Sequence, residues 1–297
     1  MLFSVVIPTL RRPELLAETL AGLLTCDPAA DEIIVVDGDP ERSASDVVRR
    51  TTRSNAPPIR YLPTAPGAAR QRNLGVAAAS GDVVLFLDDD VAIGTSTFAV
   101  LSEAYREPSL VGVTGRVVGD RSRLVSMQSP LRKLLPGGGS EGSFTRYGYP
   151  RYIQRVEVAR DVEFMLGCFM SARRSVAEEV GFDENLPGPA LAEDEDFSFR
   201  LSRHGRLRYL PELVVEHKMG FRGEDSRALG RMIVANRAYL FRKNFQATPL
   251  ARAQFAMLVF ILFAHRLAAL DPAGAQGVLE GSAQAWRERN SHGTGRG

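Results

Sequence analysis

The sequence predicts an α/β fold: a layered sheet of parallel βαβ units with helices on both faces, followed by a helical C-terminal part. Three features predict it. The N-terminal third alternates short apolar runs with amphipathic stretches at close spacing, as βαβ units do. Those runs are continuously apolar, as strands buried on both faces are. From about residue 224 onward the pattern is helical, with no strand-like run.

Each element has its own signal. FSVVIP (3–8), DEIIVVD (31–37), IRYLP (59–63) and DVVLFLD (82–88) read as strands. RPELLAETLAGLL (12–24) is amphipathic, with Leu15, Leu16, Thr19, Leu20 and Leu23 on one side. SASDVVRRTT (43–52) reads as a helix with a serine N-cap, and GAARQRNLGVAAAS (67–80) as a third helix. The stretch 129–152, rich in Gly, Pro, Ser and Tyr, reads as a long loop or lid, mobile over 137–143. DVEFMLGCFMSARRSVAEEVGFDE (161–184) reads as strand, turn and helix. ALAEDEDFSFRLSRHG (190–205) reads as an acidic turn opening a helix, and RLRYLPELVVEHK (206–218) as two short strands. The last residues, NSHGTGRG (290–297), are expected to be a disordered tail.

The 297 residues allow one large domain or two small ones, and the net charge of +2 gives no strong field that would select nucleic acid or membrane. Cys26 and Cys168 fall in no metal or CxxC spacing, which fits a reducing compartment. LFSVVIP at the N-terminus has no basic region or cleavage site, so no signal peptide is expected. The apolar run FAMLVFILFA (255–264) is shorter than the roughly 20 residues a bilayer requires. It reads either as a buried core helix or as a helix docking on a membrane surface.

Two acidic clusters carry the chemistry. DVVLFLDDDV places Asp88, Asp89 and Asp90 at the end of a buried strand. Adjacent like charges near a low dielectric are costly to ionise unless a cation neutralises them. Hard divalent ions take such carboxylates together with substrate phosphates. Asp88 and Asp90 would share one side of the continuing strand, with Asp89 opposite. Asp37 and Pro8-Thr9 also lie at strand carboxyl ends, where open α/β sheets bind ligands. The second cluster, Glu193, Asp194, Glu195 and Asp196, opens a helix. Acids favour that position by roughly 0.3–1 kcal/mol each, but four exceed what capping requires, and one could serve as a general base.

In order and spacing these motifs resemble the family 2 glycosyltransferases, inverting enzymes of the GT-A fold. SVVIPTL, EIIVVDG, PGAARQRNLGVAAASGDVVLFLDDDV, GCFMSARRSVAEEVGFDE, AEDEDFSFRLSRHG and VEHK carry the likeness over roughly residues 3–245. The resemblance implies a nucleotide-diphospho-sugar transferase with a Rossmann-type mixed sheet and flanking helices over 1–222. That domain divides into a nucleotide-binding half to about 118 and an acceptor half from 119. A helical extension follows over 223–289. Asp88 and Asp90 match the DXD pair that holds Mn2+ or Mg2+, with His217 a candidate third ligand and Asp89 beside them. Asp194 matches the catalytic base, with Glu193 shaping the acceptor site. Pro8, Thr9, Asp37 and Asp39 match positions near the nucleoside, and Arg70, Arg72 and Asn73 lie on the helix expected to face the nucleotide or its phosphates. VDGDPERS departs from the family's usual acidic pair after the second strand, so Asp39 fills the second place only with a one-residue gap. The implied partners are a nucleotide-diphosphate sugar and a glycan or lipid-linked acceptor of a cell-surface polysaccharide. The implied setting is the cytoplasm, with peripheral contact at the inner face of a membrane through helices bearing Arg231, Arg237, Arg242 and Lys243.

LFLDDDV also fits, locally, a phosphatase of the haloacid dehalogenase type. Three strands and their helices precede it, however, and no threonine stands two residues beyond Asp90. Sugar-phosphate nucleotidyltransferases need a glycine-rich loop after the first strand, and TLRRPELL has no glycine. A sugar-nucleotide-binding protein without transfer activity is the non-enzymatic alternative.

Overall fold

The computed structural model describes residues 1–54, 56–119, 139–153, 157–186, 191–218 and 225–293, with side chains to 288. Its strands are β1 (Phe3–Thr9), β2 (Glu32–Asp37), β3 (Ile59–Pro63), β4 (Val83–Leu87), β5 (Val91–Ile93), β6 (Leu110–Gly119), β7 (Arg160–Val162), β8 (Phe169–Arg173) and β9 (Arg206–His217). They form one sheet in the order β3-β2-β1-β4-β8-β6-β9-β5, with β7 paired to the first part of β9. β3, β2, β1 and β4 run parallel, β8 runs antiparallel between β4 and β6, and β6 and β9 are parallel again. The sheet is therefore mixed, and its parallel half is the one built from the βαβ units read in the sequence.

The helices are α1 (Pro13–Leu23), α2 (Ser45–Thr51), α3 (Ala68–Ala78), α4 (Thr97–Ala104), α5 (Arg174–Val180), α6 (Glu193–Leu201), α7 (Ser226–Asn244), α8 (Pro249–Ala268) and α9 (Pro272–Gly293). Alternate residues of the central strands point to opposite faces. Val5, Ile7 and Leu85 join Leu16, Leu20, Phe98 and Leu101 of α1 and α4 on one face. Val6, Val84 and Phe86 join Val76, Ala177 and Phe197 of α3, α5 and α6 on the other. The sheet core thus fixes β4, β1 and α6 relative to one another, and their ends make the crevice.

Several expectations are corrected. The 206–218 segment is one strand of 12 residues rather than two. Pro211 has no N–H to give the ladder, and the pairing with β6 slips there, from Gly115↔Leu210 to Arg116↔Val214, without ending the strand. Helix α2 is capped at Ala44 with no side-chain hydrogen bond, so the serine cap does not form. Of the loop 129–152, residues 139–152 are described and are anchored by buried Tyr147 and Tyr149; 129–138 lie outside the described residues. The helix α9 runs to Gly293, so the disorder expected from 290 does not begin there, and 294–297 lie outside the described residues.

The largest correction concerns the apolar run 255–264. It belongs to the 20-residue α8, of which only Ala251 and Leu258 are buried. A buried core helix is excluded. By length and composition alone the helix is apolar enough to cross a membrane, with a mean hydropathy of 1.4. Beyond it, α9 turns back along α7 at very close range. A Cβ on Gly277 would lie 2.0 Å from the Arg227 carbonyl oxygen, so only glycine allows this approach.

Candidate active site

At the end of β4 the chain leaves the core as Asp88-Asp89-Asp90 and re-enters the sheet as β5. Thr19 of α1 clamps the turn: its Oγ1 donates to the carbonyl oxygens of Asp89 (2.9 Å) and Val91 (3.0 Å). The three carboxylates then separate. Asp89 turns back to β1 and accepts a hydrogen bond from Thr9 Oγ1 at 2.7 Å. Burial pushes its pKa up to about 7, against the pull of Thr9 and the Arg12 guanidinium. Asp88 and Asp90 meet His217 at the end of β9, whose Nε2 lies 3.3 Å from Asp90 Oδ1. One ligand atom from each of Asp88, Asp90 and His217 lies within 4.8 Å of the others. Two carboxylates and an imidazole, buried or half-buried, are a donor set that fits a divalent cation such as Mn2+.

Arg72 joins this cluster to the second one. The sequence suggests a helix arginine facing phosphates; the side chain is instead buried, 4% exposed. Its Nη2 donates to Asp88 Oδ1 (3.0 Å) and the Gly167 carbonyl (3.3 Å), and its Nη1 to Glu193 Oε1 (2.6 Å). Burial pushes Glu193 up to about 7 although Arg72 opposes this, because one guanidinium is shared between two carboxylates and Asp194 adds a like charge. Helix α6 opens from Ala192 in the left-handed region (φ 75), strain that the packing around it must hold.

The four acids of α6 fan out. Glu193 goes to Arg72. Glu195 takes a bidentate pair from Arg237 of α7 (2.9 and 3.0 Å) and a hydrogen bond from Tyr152 Oη (2.8 Å). Asp196 accepts from Arg200, Lys243 and Asn244. Asp194 is the half-buried member. It accepts the Gly167 N–H on Oδ2 (2.8 Å) and the Glu195 N–H on Oδ1 (2.9 Å), and no cationic side chain is recorded on it among the described residues.

Other expected residues lie elsewhere. Arg70 pairs with Glu184 (3.1 Å), and Asn73 exchanges hydrogen bonds with the backbone of Phe182, so both hold the 182–184 segment rather than facing phosphates. Asp37 is fully buried and accepts from Asp39 N, Ala44 N and Tyr61 Oη, which shapes the turn after β2. Asp39 accepts from Arg11 at the rim, and Pro8 is the backbone step into Thr9. Arg237 and Lys243 serve α6, and Arg242 pairs with Glu288, so these cations are not a free basic face. Arg12 was not singled out from the sequence. Its half-exposed guanidinium lies 3.5 Å from Asp89 and 3.4 Å from Asp90. Its signal was present: it lies three residues past β1, whose carboxyl end borders the crevice, and just before α1.

The sheet order and the carboxylate cluster at its strand ends are those of a GT-A fold. Solved structures agree in fold. Mannosyltransferase PcManGT from Pyrobaculum calidifontis, in complex with GDP-Man and Mn2+, superposes with a TM-score of 0.62 at 17% identity, over 98% of this chain and 79% of that one. GalNAc-T7 with UDP, GalNAc and Mn2+ superposes at 0.60 with 15% identity, over 84% of this chain and 52% of that one. The profile of glycosyl transferase family 2 matches residues 4–181, and the chain belongs to this family. Membership of this family sets aside the phosphatase and nucleotidyltransferase alternatives. Among relatives, the pre-mycofactocin glycosyltransferase of Mycobacterium tuberculosis is 30% identical over 196 residues, 65% of this chain; those residues are 37% of that protein's length. The uncharacterized glycosyltransferase EpsJ of Bacillus subtilis is 24% identical over 279 residues, 84% of this chain and 79% of its own.

Proposed function

We propose that the protein transfers a sugar from a nucleotide-diphosphate donor to a hydroxyl of a glycan or lipid-linked glycan, in one inverting displacement. The observation that carries the reading is the pairing of a convergent donor set, Asp88, Asp90 and His217, with Asp194, a half-buried carboxylate whose hydrogen bonds among the described residues come from backbone N–H groups, across Arg72. Asp88, Asp90 and His217 would hold a divalent cation, which would neutralise the charge that builds on the departing diphosphate. Thr9 and Asp39 stand on the nucleoside side, and buried Asp37 shapes the turn after β2 behind them. Arg12 stands where a donor phosphate would replace its present carboxylate partners.

Asp194 takes the proton of the acceptor hydroxyl. Each of its oxygens accepts one backbone N–H and keeps a lone pair for this. The acceptor oxygen attacks the anomeric carbon as the bond from that carbon to the donor phosphate oxygen breaks, so the configuration inverts and no covalent enzyme intermediate forms. Glu193, held by Arg72, fixes the start of α6 so that Asp194 keeps its aim. Polysaccharide assembly in the cytoplasm, with contact at the inner face of a membrane, completes the reading.

The test is Asp194→Asn. Transfer should fall by about 10²–10⁴, the usual contribution of a general base, while metal-dependent nucleotide binding persists. Product of retained configuration, or undiminished transfer by the variant, would overturn the mechanism. A wild-type protein that binds a sugar nucleotide but transfers to no acceptor would favour the binding-protein alternative.

A further inference from the structure

We propose that α8 is a membrane-docking helix that lies flat on an anionic bilayer and brings the acceptor half of the enzyme to the lipid surface. The helix is apolar on two opposite sides. The inner side, Ala251, Phe255, Leu258, Ile261 and Leu262, packs on Tyr147, Tyr149 and Phe241, with the Phe255 and Phe241 rings stacked at 5.2 Å. The outer side repeats at the same three-to-four spacing: Leu250, Ala253, Met257, Phe260, Ala264 and Leu267. Phe260 is 68% exposed, Leu250 54% and Met257 50%. Single exposed apolar side chains are ordinary, but a contiguous stripe along a whole helix marks an interaction surface.

Charge selects the occupant. The helix holds no acidic residue, and Arg252 and His265 are exposed on it, while Arg266 is taken up by Asp271 just past its end (2.7 Å). Exposed apolar side chains with an arginine and no acid among them suit an interface with anionic headgroups, where such a helix buries its apolar face about 5–10 Å deep. A second copy of the chain fits less well. Parallel pairing along the stripe would put Arg252 opposite its counterpart, and in neither direction does α8 of a second copy offer Arg252 an acid. Crossing the bilayer conflicts with the inner side, which is committed to Tyr147 and Tyr149 of the catalytic part.

The same contacts connect the surface to the base. Tyr149 lies under the Arg237 guanidinium, 4.7 Å from its ring centre, and Arg237 holds Glu195 next to Asp194. The docked face is therefore two packed side chains from the base helix. Resting on the transferase reading, the acceptor class that follows is a lipid whose hydroxyl-bearing head group projects from the bilayer.

The experiment is flotation of the full chain, without donor, on vesicles of phosphatidylcholine alone and of phosphatidylcholine with phosphatidylglycerol. Wild type should float with the anionic vesicles. Phe260→Glu and Met257→Glu should each weaken that binding at least tenfold, while keeping the wild-type unfolding midpoint and the wild-type stabilisation by nucleotide and Mn2+. With acceptor lipid in the vesicles, the same variants should lose transfer while keeping transfer to a soluble acceptor analogue. Failure of wild type to float, equal flotation by the variants, or a dimer in light scattering that the variants dissociate would overturn the proposal. None of those results touches the Asp194 test, so the two readings fail separately.

Discussion

The two acidic clusters are built from the same residue types and end up in opposite arrangements. Residues 88–90 follow a strand, where neighbours alternate, so Asp88 and Asp90 converge with His217 while Asp89 is sent back to Thr9. Residues 193–196 open a helix, where each step turns about 100°, so four acids address four directions. Three of those meet arginine or lysine: Arg72, Arg237, and Arg200 with Lys243. The fourth, Asp194, meets only backbone N–H groups among the described residues. Strand geometry gathers carboxylates around a shared cation. Helix geometry separates them into anchors and one open group.

That contrast can be broken at several points. The largest effect belongs to Asp194→Asn, where the contrast predicts lost transfer at nearly unchanged stability, measured as transfer rate beside urea unfolding. The anchors should behave in reverse. Arg237→Ala leaves Glu195, 5% exposed, with the Tyr152 hydroxyl in place of its ion pair. Removing one partner of a buried pair costs about 3–5 kcal/mol, which urea unfolding would read directly. A loss below about 1 kcal/mol would mean Glu195 is not an anchor.

The smallest effect is a pH dependence. Burial tends to raise Asp183, but hydrogen bonds from Lys243, Tyr239 and the Asn185 N–H together hold its pKa well below the usual value. A depressed carboxylate stabilises the fold above its unfolded pKa of about 3.9, and the contribution drains away as pH falls below that. Wild type should therefore lose stability relative to Asp183→Asn below about pH 4, and the difference between them should be constant at neutral pH. Melting curves from pH 3 to 7 check it.

The sequence made the parallel half legible because strands buried on both faces leave continuous apolar runs, and it exposed both acidic clusters because like charges in a row need a reason. Directions of side chains were less legible. Arg70, Arg72 and Asn73 sit on one helix, and what each meets depends on segments more than 90 residues away: Glu184, Glu193 and Phe182. β5 and β7, three residues each, are edge strands with no pattern long enough to read. The run 255–264 hid its two faces because both are apolar, so periodicity had nothing to contrast.

The most direct test of the central claim is thermal unfolding with UDP, GDP or dTDP, each with and without Mn2+, for wild type and Asp90→Ala. A ligand at about 100 times its dissociation constant stabilises by roughly 2.7 kcal/mol. The account predicts that one nucleotide raises the wild-type midpoint only when Mn2+ is present, and that Asp90→Ala abolishes the rise. Stabilisation without metal, or an unchanged response in Asp90→Ala, would contradict a cation site at Asp88, Asp90 and His217.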